Sequence, residues 1–184
     1  MPITPTSATT STVIRYVGLV SNAPAKVRVT ARACARLEPQ ISAATESIRK
    51  ASPYDHPYWH LERARIGESR NVPIELIVNG VAVQRKEMEA DGSVCDVQFD
   101  VNIAESSWLG LRIFPSSHTN PIFIKIADRP VRASKKSAQW CRQCVDVCWE
   151  QKKLRIRDHE ISAAQAAYDH ARSVYDRIIS ESAV

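Results

Sequence analysis

Between Val27 and Leu37 apolar and polar residues alternate without a break. Val27, Val29, Ala31, Ala33, Ala35 and Leu37 share one side, and Arg28, Thr30, Arg32, Cys34 and Arg36 share the other. A period of two predicts a half-buried strand, because successive side chains leave a pleated backbone on opposite faces. Four further runs repeat the pattern. Ile74, Leu76 and Val78 lie on one face of Val72–Asn79, and Cys95, Val97, Phe99 and Val101 on one face of Val94–Val101. Leu109, Leu111 and Ile113 do so in Trp108–Phe114, and Ile122, Ile124 and Ile126 in Pro121–Ala127. Tyr58–Ile66 is read as a strand with poorer alternation. Asn79-Gly80 separates Val72–Asn79 from Val81–Glu89. Both residues tolerate positive φ, which a type I′ turn requires, so the pair predicts a hairpin. Asp91-Gly92 predicts the next reversal.

The period changes after Ser134, whose hydroxyl suits a helix N-cap. Ala138, Cys141, Val145, Cys148 and Trp149 then share one face of a helix over Lys135–Lys153. Asp158 is read as a second N-cap. Beyond it Ile161, Ala164, Tyr168, Ala171, Tyr175 and Ile178 recur at spacings of three and four, an apolar stripe on a second helix. A short connection between two such helices predicts an antiparallel pair. Glu38–Pro57 reads as a long connection with a short helix near Ala43–Lys50. These patterns predict a mainly β chain with a C-terminal α part. About seven strands form an antiparallel β-sandwich, and a two-helix hairpin follows. The boundaries are a flexible N-terminal lead over residues 1–25, a sandwich over 26–131 and a helical hairpin over 132–184.

Composition adds little to this frame until charge is resolved along the chain. Of 184 residues, 44% are hydrophobic and 24% charged, enough apolar matter for a real core. No run approaches the roughly 20 apolar residues that span a bilayer. The Thr/Ser/Pro-rich start lacks the early positive charge of a signal peptide. The formal charge is +5, but Arg129–Arg157 alone carries +7 and Asp158–Val184 carries −3. A basic helix followed by an acidic one pairs with itself, which argues against nucleic acid as the partner. Five cysteines, an odd number, suit reduced thiols and a cytoplasmic setting.

Three stretches carry a resemblance. They are PYWHLERARIG at Pro57–Gly67 followed by VPIELIVNG, SSWLGLRIFPSSHTNPIFI at Ser106–Ile124, and RASKKSAQWCRQCVDVCWEQKK at Arg132–Lys153. Together they resemble the C-terminal region of metallohydrolases of the CehA/McbA type, in the polymerase-and-histidinol-phosphatase (PHP) superfamily. The resemblance covers about Val27 to Ile179. It implies a region that follows a metal-dependent hydrolase domain bearing His-x-His and further His/Asp ligands. This sequence contains no His-x-His, and only about 25 unpatterned residues precede the region. No catalytic or metal-binding residue carries over and no cofactor is expected. The expectation is a non-catalytic accessory module, whether stand-alone, a split-enzyme subunit or a truncated remnant. Its expected partner is a separate hydrolase domain or a second copy of itself.

Local chemistry sharpens this expectation in a few places. Cys141-x-x-Cys144-x-x-x-Cys148 invites a zinc or cluster reading. On a helix these positions share the apolar side, where free cysteine acts as a small buried hydrophobe, so they are read as core. The turn holding Ser116, Ser117, His118, Thr119 and Asn120 has a hydroxyl beside an imidazole but no carboxylate to orient it. With Trp59 and Arg63 it supplies the candidate interaction residues. Asp96 and Asp100 stand roughly 13 Å apart on one strand, too far for a glycosidase pair. Two alternatives remain. One is a metal-dependent hydrolase whose site a partner chain completes. The weaker one is a nucleic-acid module using the basic helix.

Overall fold

The computed structural model describes residues 10–13 and 19–182, with side chains from Val20 onward. The chain is mixed α/β and divides into two compact units, Met1–Arg129 and Pro130–Val184. The first unit holds two sheets. One has the order β1 (Thr10–Val13), β3 (Ala25–Arg36) and β6 (Asp91–Ile103). The other runs β2 (Leu19–Ser21), β9 (Ile122–Ile126), β7 (Ser107–Ile113), β4 (Asn71–Val78) and β5 (Val81–Glu89), with β8 (Ser117–His118) added to β7. Six of the seven expected strands are present.

The alternation does what its period requires. In β3 the residues Val29, Ala31, Ala33 and Ala35 are buried, while Arg28, Thr30 and Arg32 are exposed. β6 contributes Val97, Phe99 and Ile103 to the same cluster. From the second sheet come Val72, Ile74 and Leu76 of β4, Leu109, Leu111 and Ile113 of β7, and Ile122, Ile124 and Ile126 of β9. One apolar cluster therefore draws on the inward faces of both sheets. Small alanines on β3 and large aliphatics on β4 and β7 fill it together, as close packing requires.

β5 behaves differently. It ends the second sheet, and of its nine residues only Met88 is buried. Lys86 stands opposite Ile74, and its Nζ lies 5.5 Å from the Phe99 ring centroid. Gln84 stands opposite Leu76 and donates 2.6 Å to the carbonyl of Asp100 on β6. β6 is itself the edge of the first sheet, so this bond satisfies a carbonyl that has no ladder partner there. Polar residues at core-side positions of an edge strand also discourage pairing with a foreign strand. The chain passes between sheets at the fully buried Ala90, whose N–H donates to Arg70 and whose carbonyl accepts from Leu37, both at 2.8 Å.

The Asn79-Gly80 hairpin forms, with φ of 52° and 90°. Asn79 also bonds across the sheet. Its Oδ1 accepts from the Trp108 N–H at 3.0 Å, and its Nδ2 donates to Ser107 Oγ at 3.0 Å. The short helix α1 (Ala43–Lys50) starts in a reciprocal cap. The Ser42 hydroxyl accepts from the Thr45 N–H, and Thr45 Oγ1 accepts from the Ser42 N–H.

Several expectations are corrected. Tyr58–Ile66 is not a strand. It contains a 3-10 helix over Leu61–Ala64, in which Leu61 and Ala64 enter the core. His60 caps this turn, its Nδ1 accepting from the Glu62 N–H at 3.1 Å. Burial lowers the His60 pKa and favours the neutral ring that can accept. Two buried charged residues three apart, Glu62 and Arg65, fix the tight turn and are invisible to an alternation test. The segment expected as a flexible lead over residues 1–25 holds β1, β2 and the first residue of β3, and its residues 1–9 and 14–18 lie outside the described residues. β1 extends the first sheet antiparallel to β3, whereas β2 pairs with β9 in parallel, so the sheets are not wholly antiparallel.

The second unit contains α2 (Lys135–Lys152), a 3-10 turn over Lys153–Arg155 and α3 (Ile161–Glu181). Ser134 caps α2, accepting from the Ser137 N–H at 3.1 Å. Asp158 does not cap α3. That helix begins after Glu160 with no side-chain cap, because the chain first makes a turn in which the Glu160 N–H reaches the Arg157 carbonyl. The helices run antiparallel, joined by Arg142–Asp176 at 3.1 Å and Arg172–Asp146 at 2.8 Å. No helix among the described residues is long and apolar enough to cross a membrane.

Candidate binding sites

The turn after β7 is spent mostly on its own closure. Ser117 and His118 form β8 opposite Ile113 and Arg112. Thr119 bonds Leu111 twice, its N–H donating at 2.9 Å and its Oγ1 accepting at 3.1 Å. His118 Nδ1 lies 3.0 Å from the Thr119 carbonyl, and among the described residues no carboxylate approaches the ring. His118 and Asn120 are exposed, and Ser116 is half-buried. Trp59 is 51% exposed and packs edge-on against Tyr58, with centroids 4.6 Å apart. Arg63 donates to the carbonyls of Ala51, Ser52 and Asp55 and so pins the loop after α1.

Arg63 also lines a cavity of about 320 Å³ in the first unit. The 3-10 segment provides Arg63, Ala64, Arg65 and Ile66, β4 provides Pro73 and Glu75, and β5 provides Arg85. Arg112 of β7 and the following Phe114 complete the wall. Glu75 is directly opposite Arg112 on one side and Arg85 on the other. Directly paired residues share a face, so the three side chains form one row across three strands. Arg112 Nε donates to Glu75 Oε2 at 2.7 Å, and its guanidinium carbon lies 5.5 Å from the Phe114 ring centroid.

This row was hidden in the sequence. Counting back from the Asn79-Gly80 turn places Gln84 opposite Glu75. An irregularity between Leu76 and Ile77 inserts Val83 as an extra residue and brings Arg85 there instead. The available signal was a pair of arginines at outward positions of two strands that flank Glu75 of β4.

In the second unit a groove of about 380 Å³ separates the helices. Cys141, Cys144, Val145 and Cys148 line it from α2, and Ala167, Tyr168, Ala171 and Tyr175 from α3. All three cysteines are half-buried, so the core reading of the triplet is corrected to an open apolar wall. The helix pattern brought them to one side, as expected. It did not reveal that the helices leave that side uncovered. Cys148 Sγ accepts from the Tyr168 hydroxyl at 3.6 Å. No group of three or more His, Cys, Asp or Glu side chains among the described residues is placed to hold a metal ion.

Acidic and basic side chains gather into a network that also joins the helices. Asp146 accepts from both Arg142 and Arg172, Arg142 reaches Asp176, and Arg172 reaches Asp169. Part of the basic charge of α2 is thereby neutralised within the chain, which weakens the phosphate-binding reading. Arg172, and then Arg142, hold the Asp146 carboxyl below its ordinary range, while Gln165 and Arg172 do the same for Asp169. A carboxylate whose folded pKa is depressed stabilises the fold above its unfolded pKa, near 4, and loses that contribution as pH falls through the folded value. The melting temperature of the helical signal should therefore drop as the solution is acidified below about pH 4. Circular dichroism on the full chain reads this, and Asp146→Asn should flatten the acid limb.

No protein-family model, no curated protein and no solved structure matches this chain.

Proposed function

We propose that this chain is a non-catalytic interaction module, a β-sandwich bearing a helical hairpin through which two copies associate. The shared apolar cluster supports the sandwich, and the resemblance to the C-terminal region of PHP-type metallohydrolases supports an accessory role. The observation that carries the reading is the uncovered apolar side of the hairpin. On α2, Trp140 is 66% and Val147 56% exposed, one helical face with Cys144 between them. That face runs into the cysteine groove, and α3 continues it with small alanines. Among the residues of α2 and α3 only Ala138 is buried.

Charge selects a second copy as the occupant. A two-fold axis along the hairpin lays each α2 on the partner's α3, antiparallel, as in a four-helix bundle. The segment carrying +7 then meets the segment carrying −3, whereas laying α2 on α2 would oppose like charges. Helices of 18 and 21 residues present a face of roughly 30 by 20 Å, so the pair buries about 1,200 Å² in total, the lower edge of specific interfaces.

Sedimentation velocity of the full chain tests this. The wild type is expected to sediment as a concentration-dependent dimer, and Trp140→Glu with Val147→Glu as a monomer of unchanged helix content. A wild type that stays monomeric throughout overturns the reading and leaves the face to another chain, such as a separate hydrolase domain. A variant that still dimerises overturns the interface.

A further inference from the structure

The geometry points to the arginine-lined cavity of the first unit as a binding site for a small organic oxyanion, a phosphate or carboxylate carried on a flat apolar body. This inference is independent of the hairpin, which lies in the other unit.

Charge at the cavity is unbalanced. Arg65 contributes its stem only. Its guanidinium is fully buried and occupied by Glu62 and by the carbonyls of Glu38 and Ser69. Arg63, Arg85 and Arg112 remain against the single carboxylate of Glu75, which leaves two positive charges in excess. The neutral carbonyls that hold Arg63 satisfy donors without cancelling its charge.

Donors remain to be used as well. Glu75 is taken by Arg112, and the Arg85 guanidinium on its other side has neither an ion pair nor a hydrogen bond among the described residues. Arg112 commits its Nε to Glu75, and among the described residues no acceptor meets its two terminal nitrogens. Arg63 Nε is buried without any acceptor, the one such side-chain nitrogen or oxygen among the described residues. A buried donor left unmade costs free energy, so Arg63 keeps a hydrogen-bonding capacity that its own chain does not use.

Shape narrows the ligand class. Guanidinium forks match the paired oxygens of carboxylates and phosphates. The rest of the lining is apolar, from Ala64, Ile66, Pro73 and the Phe114 ring, which is 65% exposed at the rim. A volume of about 320 Å³ admits one small ring with its anionic group. Arg85 stands on the edge strand, where its side chain can swing onto a ligand without disturbing a ladder.

Isothermal titration of the full chain with phenyl phosphate, benzoate and inorganic phosphate tests the site. Phenyl phosphate is expected to bind one per chain, more tightly than inorganic phosphate and less tightly as salt is raised. Benzoate separates a carboxylate preference from a phosphate one. Arg85→Gln lies on an exposed position that the fold does not need, and should weaken binding about tenfold or more by removing a charge-assisted contact. No binding of either aryl anion by the wild type overturns the proposal. So does an unchanged affinity in Arg85→Gln, which would place the anion elsewhere. Equal affinity for inorganic and phenyl phosphate overturns the apolar half of the site.

Discussion

Replacing Glu62 by alanine is expected to cost about 3–5 kcal/mol of the stability of the β-sheet unit, because it strips a buried cation of its counter-charge. Glu62 is 1% exposed, and the side chain of Arg65 is fully buried. Glu62 Oε2 accepts from Arg65 Nε at 2.6 Å, and Oε1 accepts from Nη2. Arg65 spends its remaining bonds on the Ser69 carbonyl at 3.0 Å and the Glu38 carbonyl at 2.7 Å. One guanidinium thus ties the end of β3, the 3-10 turn and the approach to β4. Its pKa is raised, first by the hydrogen bond to Glu62. A guanidinium is so basic that it stays charged at neutral pH even when that partner is removed.

Domains of this size are stable by only about 5–15 kcal/mol, so the loss is a large share of the total. Urea unfolding followed by tryptophan fluorescence measures it. Asp100→Ala, which breaks the exposed Arg28–Asp100 pair on β3 and β6, should leave the midpoint almost unmoved. Glu62→Leu combined with Arg65→Met should recover much of the loss, since a buried pair replaced by apolar volume is often neutral. A Glu62→Ala midpoint equal to that of wild type would mean that water reaches the pair. Because Arg63 and Arg65 stand in the same turn, the variant should also loosen the wall of the arginine cavity.

The strands were legible because burial imposes period two on any strand with one wet face. β3 is the clearest case, with arginines at 28, 32 and 36 against alanines at 31, 33 and 35. Helix α1 and the Ser134 cap were legible for similar local reasons. Tyr58–Ile66 was not, since its conformation depends on an ion pair whose burial only the folded chain supplies. β2 escaped because three residues carry too little pattern, and its parallel pairing with β9 is a long-range choice. For the candidate sites the gap is wider. Arg63 was singled out from sequence, but Glu75 and Arg112 join it at the cavity through a long-range strand pairing, and Arg85 through a register shift. Trp59 and the turn at Ser116–Asn120 looked chemically rich, yet Trp59 packs on Tyr58, and Thr119 and His118 bond within their own turn and to Leu111.

Phe99→Ala is the sharpest test of the sandwich itself, with an expected loss of about 3–5 kcal/mol. Phe99 is 1% exposed on β6, paired with Val29 of β3. Its neighbours on the same sheet face are Val27, Val29, Val97, Val101 and Ala31, short side chains that cannot extend to fill the space. Rigid ladders on both strands limit collapse, and the cost grows with the cavity that remains. Phe99→Leu keeps most of the volume and should cost less than about 1.5 kcal/mol. The difference between the two variants then reports the packing of one sheet against the other, at an unchanged denaturant slope. If both variants lose equally little, β6 does not face β4 and β7 across a dry interior. If alanine alone is severe, the aromatic ring is the wedge that holds the alanine face of β3 at its distance from the second sheet. Lys86 would then hold its ammonium over that ring as the plug at the open edge.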